Sequence, residues 1–276
     1  ARGLSLAGPV AQARRAVRAG RRRHRAGRRR DGRSRRPAGR AAAGRHHEHA
    51  APRALWRAGL ARGAEGLPDP RRGADDLGRR GSRPAVLRRR HQLSEKLSLR
   101  KVVFMRQTHS AAVVEVSAED DLVDADGIIT KSKHIGVAVL AADCIPLLLE
   151  SEEYVGAIHI GRVGMEKNIA TRAIEMLRAR GAKEIAALIG PSVCGDCYEV
   201  SLEMYLEVSS KIPTSATTIA SHCLDIKRAV CSELENLGVT VADSGICTME
   251  SPEFFSHRMS QKQSTPEGRG VGVISR

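Results

Sequence analysis

His109, Cys144 and His159 stand where apolar segments of the chain meet polar chemistry. The first closes KVVFMRQTH, the second lies within GVAVLAADCIPLLL and the third sits near the end of YVGAIHI. Two imidazoles and a thiolate are a sound donor set for zinc, and three protein ligands leave the fourth tetrahedral position open to water or substrate. Zinc held in this way lowers the pKa of a bound water to about 7, which supplies a nucleophile at neutral pH. Asp143, next to Cys144, is costly inside an apolar run unless it is paired. It is a candidate to orient a ligand imidazole or to move a proton, so Asp143 and Cys144 form the candidate catalytic pair. Steps of 35 and 15 residues match no short metal motif, and two bland alternatives stay open. One is a Cys144 thiolate paired with a histidine base, and the other is simple packing. CGDC, from Cys194 to Cys197, has the spacing of a redox pair or zinc knuckle, but no second such pair follows and a packing or loop role is expected there.

The elements that must position these residues alternate along the chain. Val-rich and Ile-rich patterns predict strands over 101–109, 111–117, the end of 124–130, 135–143, 154–160 and 184–190, and again in VTVADSG and GVGVIS. In MEKNIATRAIEMLRARG the period becomes helical, with Met165, Ile169, Ala173, Met176 and Leu177 on one face and Gly181 closing the helix. Further helices are expected from the Ser201 cap and across DIKRAVCSELENLG, where Ile226, Val230, Leu234 and Leu237 form the stripe before Gly238. This alternation predicts an α/β fold, a single layered domain with a mixed β-sheet covered by helices. Ligand groups gather just beyond strand ends in such folds, which lets three distant residues converge.

The net charge of +15 is an average over two unlike parts. Residues 1–90 carry 27 Arg, no Lys and 6 acidic residues, a balance of +21, whereas residues 91–276 carry 19 basic and 25 acidic residues, a balance of −6. The first part lacks Ile, Phe, Tyr, Met, Asn, Thr, Lys and Cys, so it holds too little apolar surface to offset the entropy of ordering and is expected to be disordered. RRRHRAGRRRDGRSRR reads as a basic arm able to neutralise nucleic-acid phosphates. The same composition arises when GC-rich DNA is translated out of frame, and that reading is favoured; HHEH at His46–His49 belongs to the same bias. Residues 91–276 are enough for one domain with its own core. No apolar span approaches the roughly 20 residues of a membrane helix, and no secretory signal is recognisable. The six cysteines are scattered through the domain, which predicts free thiols in a reducing cytoplasm, and a monomer is expected.

Six segments, MRQTHS, DADGIIT, AVLAADCIPLLL, GAIHIGRVG, IGPSVCGDCYEV and CTMESPEFFSHR with GRGVGVI, occur in one order that resembles the YfiH-type laccase-domain family, also known as polyphenol oxidase or peptidoglycan editing factor. The resemblance runs from about residue 88 to the C-terminus. It implies zinc on His109, Cys144 and His159, and phosphorolysis of adenosine, inosine, guanosine and methylthioadenosine together with adenosine deamination. Purine nucleoside and phosphate are then the partners. Phosphate needs fixed cations beside the metal, for which Arg162, at the start of a helix, and Arg258 are candidates; Gln107 joins them as a substrate-binding candidate. Tyr198 reads as a core aromatic. Copper with phenol oxidation is the less favoured alternative, because closely spaced His pairs are missing from the domain. Two departures stand out. Relatives read His-Ala-Gly-Trp-Arg-Gly where this chain has His159 to Gly164 as HIGRVG, which moves the arginine by one position. Their N-terminal Gly-Gly-x-Ser, Asn-Leu and His-Val-Gly-Asp segment has no counterpart before RHQLSEKL, which predicts missing sheet strands and a pocket wall left incomplete.

Overall fold

The computed structural model describes residues 61–65, 82–265 and 267–276. The expected disorder, the RRRHRAGRRRDGRSRR arm and the HHEH cluster lie almost wholly outside these residues.

The layered α/β architecture is present, with its strands divided between two mixed sheets. Strand β1 (Ala61–Glu65), helix α1 (Ser82–Lys96), β2 (Lys101–Arg106), β3 (Val113–Glu115), β4 (Leu122–Asp124), β5 (Gly127–Thr130), β6 (Ile135–Ala141), β7 (Ile145–Glu150) and β8 (Val155–Ile160) form the first half. Helices α2 (Arg162–Glu166) and α3 (Ile169–Ala179), strand β9 (Ala186–Ile189), helices α4 (Leu202–Lys211) and α5 (Ile226–Asn236), strand β10 (Thr240–Asp243), helix α6 (His257–Gln263) and strand β11 (Gly268–Ser275) complete it. The five-stranded sheet runs β1-β11-β6-β2-β4 and the six-stranded sheet β10-β9-β7-β8-β5-β3.

The two sheets stack through a shared core. Val103, Met105, Val137, Val139 and Ile274 of the first meet Ile128, Leu148, Val155 and Ala157 of the second. The outer face of the six-stranded sheet packs on the helices through Ile145, Leu147, Ile158, Ile169, Ala173, Leu177, Val208, Val230 and Leu234. Each buried Ile or Leu contributes about 1.5–3 kcal/mol, so the helical stripes read from the sequence are what fasten this layer. Leu93, Leu97 and Leu99 cover the outer face of the five-stranded sheet beside Val102, Phe104 and Val273.

Helix α1 runs through the boundary expected between residues 90 and 91. Arg90 lies 4.2 Å from the Phe104 ring centroid, so packing of the domain begins upstream of that boundary. At one edge of the five-stranded sheet, β1 pairs antiparallel with β11.

Two local differences matter for the site. GVAVLAADCIPLLL holds the expected strand over 135–143, here β6, and a second one that was not expected, since β6 belongs to the first sheet and β7 to the second. The chain changes sheet at Ala142–Cys144, where Asp143 adopts a left-handed φ of 83°. Likewise the helix expected from Met165 to Gly181 is broken at Asn168, whose φ is 56°. The break leaves α2 as a five-residue turn of helix ahead of α3.

Candidate metal centre

His109 follows β2, Cys144 occupies the sheet-changing turn and His159 is the penultimate residue of β8. Their side-chain donor atoms all lie within 4.8 Å of one another. His109 Nε2 is 3.8 Å from Cys144 Sγ. The His109 and His159 rings meet edge to face, 4.8 Å between centroids and 78° between planes.

Gly161 makes this approach possible. A Cβ at that position would stand 2.8 Å from His109 Cδ2, closer than real Cβ contacts come, and 3.1 Å from Cys144 Sγ, a tight contact. The first glycine of HIGRVG therefore lets His109 and Cys144 approach and is not only the lead into a helix.

Asp126 fixes the His159 imidazole and the turn that carries His109. It is fully buried, and its Oδ1 accepts from the His109 backbone N–H at 3.0 Å and from His159 Nδ1 at 2.8 Å. Its Oδ2 accepts from the Thr108 and Ser110 N–H groups, at 3.1 and 2.6 Å, and from the Ser110 hydroxyl at 2.7 Å. Three consecutive amides thus converge on one carboxylate, which sustains the left-handed φ of 58° at His109. An ionised carboxylate only accepts, so the bond to Asp126 assigns the proton of His159 to Nδ1 and leaves Nε2 for the centre. Burial alone pushes the Asp126 carboxyl up, but hydrogen bonds from His159 and Ser110 outweigh it and hold the group well below the usual carboxylate range.

The thiol and the imidazole support each other electrostatically. Burial resists a charge on Cys144, yet the His159 cation and hydrogen bonds from both histidines lower its pKa to about 6. Burial opposes the His159 cation as well, and the Cys144 thiolate with Asp126 raises it to about 9. Two imidazole nitrogens and one thiolate on preset backbone suit zinc, a borderline-soft ion that takes tetrahedral N and S donors.

Asp143 does not orient either imidazole. Its Oδ1 accepts from the Thr248 hydroxyl at 2.7 Å and its Oδ2 from the Arg258 N–H at 2.8 Å, while its carbonyl accepts from Val193 N–H at 3.0 Å. The orienting role expected of Asp143 belongs to Asp126, in the DADGIIT segment. What pairs the carboxylate in the apolar run is therefore a tether: Asp143 fastens the sheet-changing turn that carries Cys144 to two distant loops. Asp126 carried the same sequence signal, an acidic residue set against a buried Ile-Ile strand, but only the fold reveals which imidazole it meets.

The remaining candidates divide. Gln107 is buried, and its amide is engaged by the backbone of one residue, donating to Leu140 C=O at 2.8 Å and accepting from Leu140 N–H at 2.9 Å. It holds β6 against the end of β2 rather than presenting its amide to a ligand. Arg162 pairs with Glu166 within α2, a helix too short to add a substantial dipole. Arg258 lies 4.2 Å from the Tyr198 ring centroid and donates to Glu199 C=O at 2.6 Å, so Tyr198 is a platform for this guanidinium as well as a core contact. Arg162, Arg258 and Cys144 all act electrostatically on Tyr198, which places both arginines in the electrostatic neighbourhood of the metal trio.

Residues 76–276 match the family described as multi-copper polyphenol oxidoreductase laccase. A protein named purine nucleoside phosphorylase from Mycobacterium tuberculosis is 34% identical over 201 residues, covering 69% of this chain and 79% of that protein. One of the same name from Corynebacterium glutamicum is 36% identical over 203 residues, with coverages of 69% and 81%. Among solved structures, YlmD from Geobacillus stearothermophilus superposes with a TM-score of 0.63 at 26% identity, covering 79% of this chain and 91% of that one. The protein YfiH from Bacillus licheniformis does so with a TM-score of 0.59 at 25% identity, with coverages of 69% and 80%.

Proposed function

Because the chain belongs to the multi-copper polyphenol oxidoreductase laccase family, whose YfiH-type members supply its structural neighbours, we propose that it is a zinc-dependent purine nucleoside phosphorylase with adenosine deaminase activity. The observation that carries the reading is the convergence of His109, Cys144 and His159 beside Gly161, with no fourth histidine, cysteine or carboxylate grouped with them among the described residues. Zinc on these residues supplies a Lewis acid for a polar oxygen of the reactants.

The chain's own groups do the rest. Asp126 keeps the His159 proton on Nδ1 and holds the His109 turn, so both ligands are set before substrate arrives. Arg258, steadied by Tyr198 and Glu199, provides the fixed cation for phosphate, and Arg162 lends longer-range positive potential. In phosphorolysis a phosphate oxygen bonds to C1′ as the bond from C1′ to the purine nitrogen breaks. The purine leaves with the bonding pair and takes up a proton that phosphate carries in. Adenosine, inosine, guanosine and methylthioadenosine share this C1′ chemistry and are the proposed substrates. Six thiols without a disulfide fit a reducing, cytoplasmic setting.

Copper-dependent phenol oxidation is the weaker reading. Multi-copper chemistry needs several histidine-rich centres, and among the described residues the second ligand cluster contains only thiols and a carboxylate. The test is turnover of adenosine and inosine with and without phosphate. Ribose 1-phosphate and free base must form only with phosphate, and turnover must vanish in Cys144→Ala. Phosphate-independent release of base, or unchanged turnover in that variant, overturns the proposal.

A further inference from the structure

CGDC was expected to pack or to brace a loop, yet the fold brings two further donors to it. The Sγ atoms of Cys194, Cys197 and Cys247 and a carboxylate oxygen of Glu250 all lie within 4.8 Å of one another. We propose that these four residues bind a second, structural zinc ion that staples the loop after β9 to the loop after β10.

The donor set is complete in itself. Structural zinc sites are closed tetrahedra of thiolate, imidazole or carboxylate, and with Zn–S near 2.3 Å their donor atoms stand about 3.5–4 Å apart. Glu250 Oε1 is 3.5 Å from Cys197 Sγ and 4.0 Å from Cys194 Sγ. Such spacing needs little adjustment to enclose an ion. Where the trio at His109 offers three donors and an open position, this cluster offers four and none.

The backbone is arranged as a ligand turn. Cys197 N–H and Tyr198 N–H both donate to Cys194 C=O, at 3.2 and 3.1 Å, which curls the Cys-x-x-Cys segment so that its two thiols share one side. A parallel bridge between Ser192 and Cys247 holds the second loop alongside. Cys194 N–H points at Cys247 Sγ from 3.4 Å, the amide-to-sulfur contact that suits a thiolate. Convergence of a third thiol and a carboxylate is what separates this arrangement from a simple redox pair, which needs only two sulfurs.

Its position gives the ion a purpose. Val193, before Cys194, donates its N–H to Asp143 C=O, and Thr248, after Cys247, donates its hydroxyl to Asp143 Oδ1. Tyr198, after Cys197, supports Arg258. A zinc ion at the cluster therefore fixes both loops that tether the Cys144 turn and the proposed phosphate cation, while contributing no atom to the chemistry. The inference does not depend on the proposed reaction.

The experiment is metal counting on the purified full chain. Wild type is expected to hold two zinc ions, and the double substitution Cys194→Ser with Cys197→Ser one, with a lower melting temperature. Because that variant can fail to fold, the second arm uses Cys144→Ser, which disables only the trio, reconstituted with cobalt. It must retain one ion per chain with sulfur-to-cobalt absorption of about three-thiolate intensity. Loss of all thiolate absorption in Cys144→Ser, unchanged zinc content in the double variant, or a purified protein two hydrogen atoms lighter through a Cys194–Cys197 disulfide each overturns the proposal.

Discussion

Oδ1 of Asp126 bonds the Nδ1 of His159 at 2.8 Å while also accepting the backbone N–H of His109 at 3.0 Å, so one buried oxygen orients the His159 imidazole and holds the turn that carries His109. Removing its charge tests how far the centre depends on it. Asp126→Asn is expected to weaken metal affinity by about 10–100-fold, the usual effect of losing a partner that orients a ligand histidine. Competition against a chromophoric chelator measures it, and unchanged affinity refutes the assigned role.

The acid limit of the metal-free fold follows from the same group. Its folded pKa is lowered, so Asp126 contributes stability that is present above the unfolded value of about 3.9 and is lost as pH falls through the folded one. Urea titrations at pH 7 and pH 3 are expected to show wild type losing only part of its advantage over Asp126→Asn at the lower pH, since pH 3 still lies above the folded value.

A thiolate and an imidazolium coexist in the metal-free centre between about pH 6, where Cys144 titrates, and about pH 9, where His159 does. The cysteine value is lowered, so its contribution disappears as pH falls through 6; the histidine value is raised, so its contribution is complete below the unfolded value of about 6.5 and disappears as pH rises through 9. Ultraviolet thiolate absorbance of the metal-free protein is expected to fall near pH 6 in wild type, and this step must be missing from Cys144→Ser.

Gly161→Ala forces a methyl group between His109 and Cys144. Overpacking of this kind costs about 1–3 kcal/mol, and because the strain falls on two ligands, metal content is expected to drop well before the fold is lost. Metal analysis beside a thermal melt distinguishes the two effects.

Arg258→Ala removes the guanidinium over Tyr198. If that cation holds phosphate, KM for phosphate rises about tenfold or more, since one charge-assisted contact is worth about 1.5–3 kcal/mol, while KM for nucleoside moves less. Equal effects on both substrates, measured by initial rates, mark Arg258 as merely structural.

The amino-acid sequence by itself determined the helical stripes at Ile169–Leu177 and Ile226–Leu234 and the buried strands around them, because period and apolar content are local properties, and it marked His109, Cys144 and His159 as candidates that the fold brings together. It also marked Asp143 as a carboxylate in need of a partner. It could not supply that partner: Thr248 and Arg258 lie 105 and 115 residues away and become neighbours only through loop packing. The same holds for Asp126 on His159, 33 residues apart, and for Cys247 beside the Cys-x-x-Cys turn. Gln107 shows the converse, a polar side chain that reads as ligand-binding until the fold engages its amide with Leu140. Which polar group answers which is decided by the stacking of two sheets and the turn between them, a non-local arrangement with no counterpart in residue spacing.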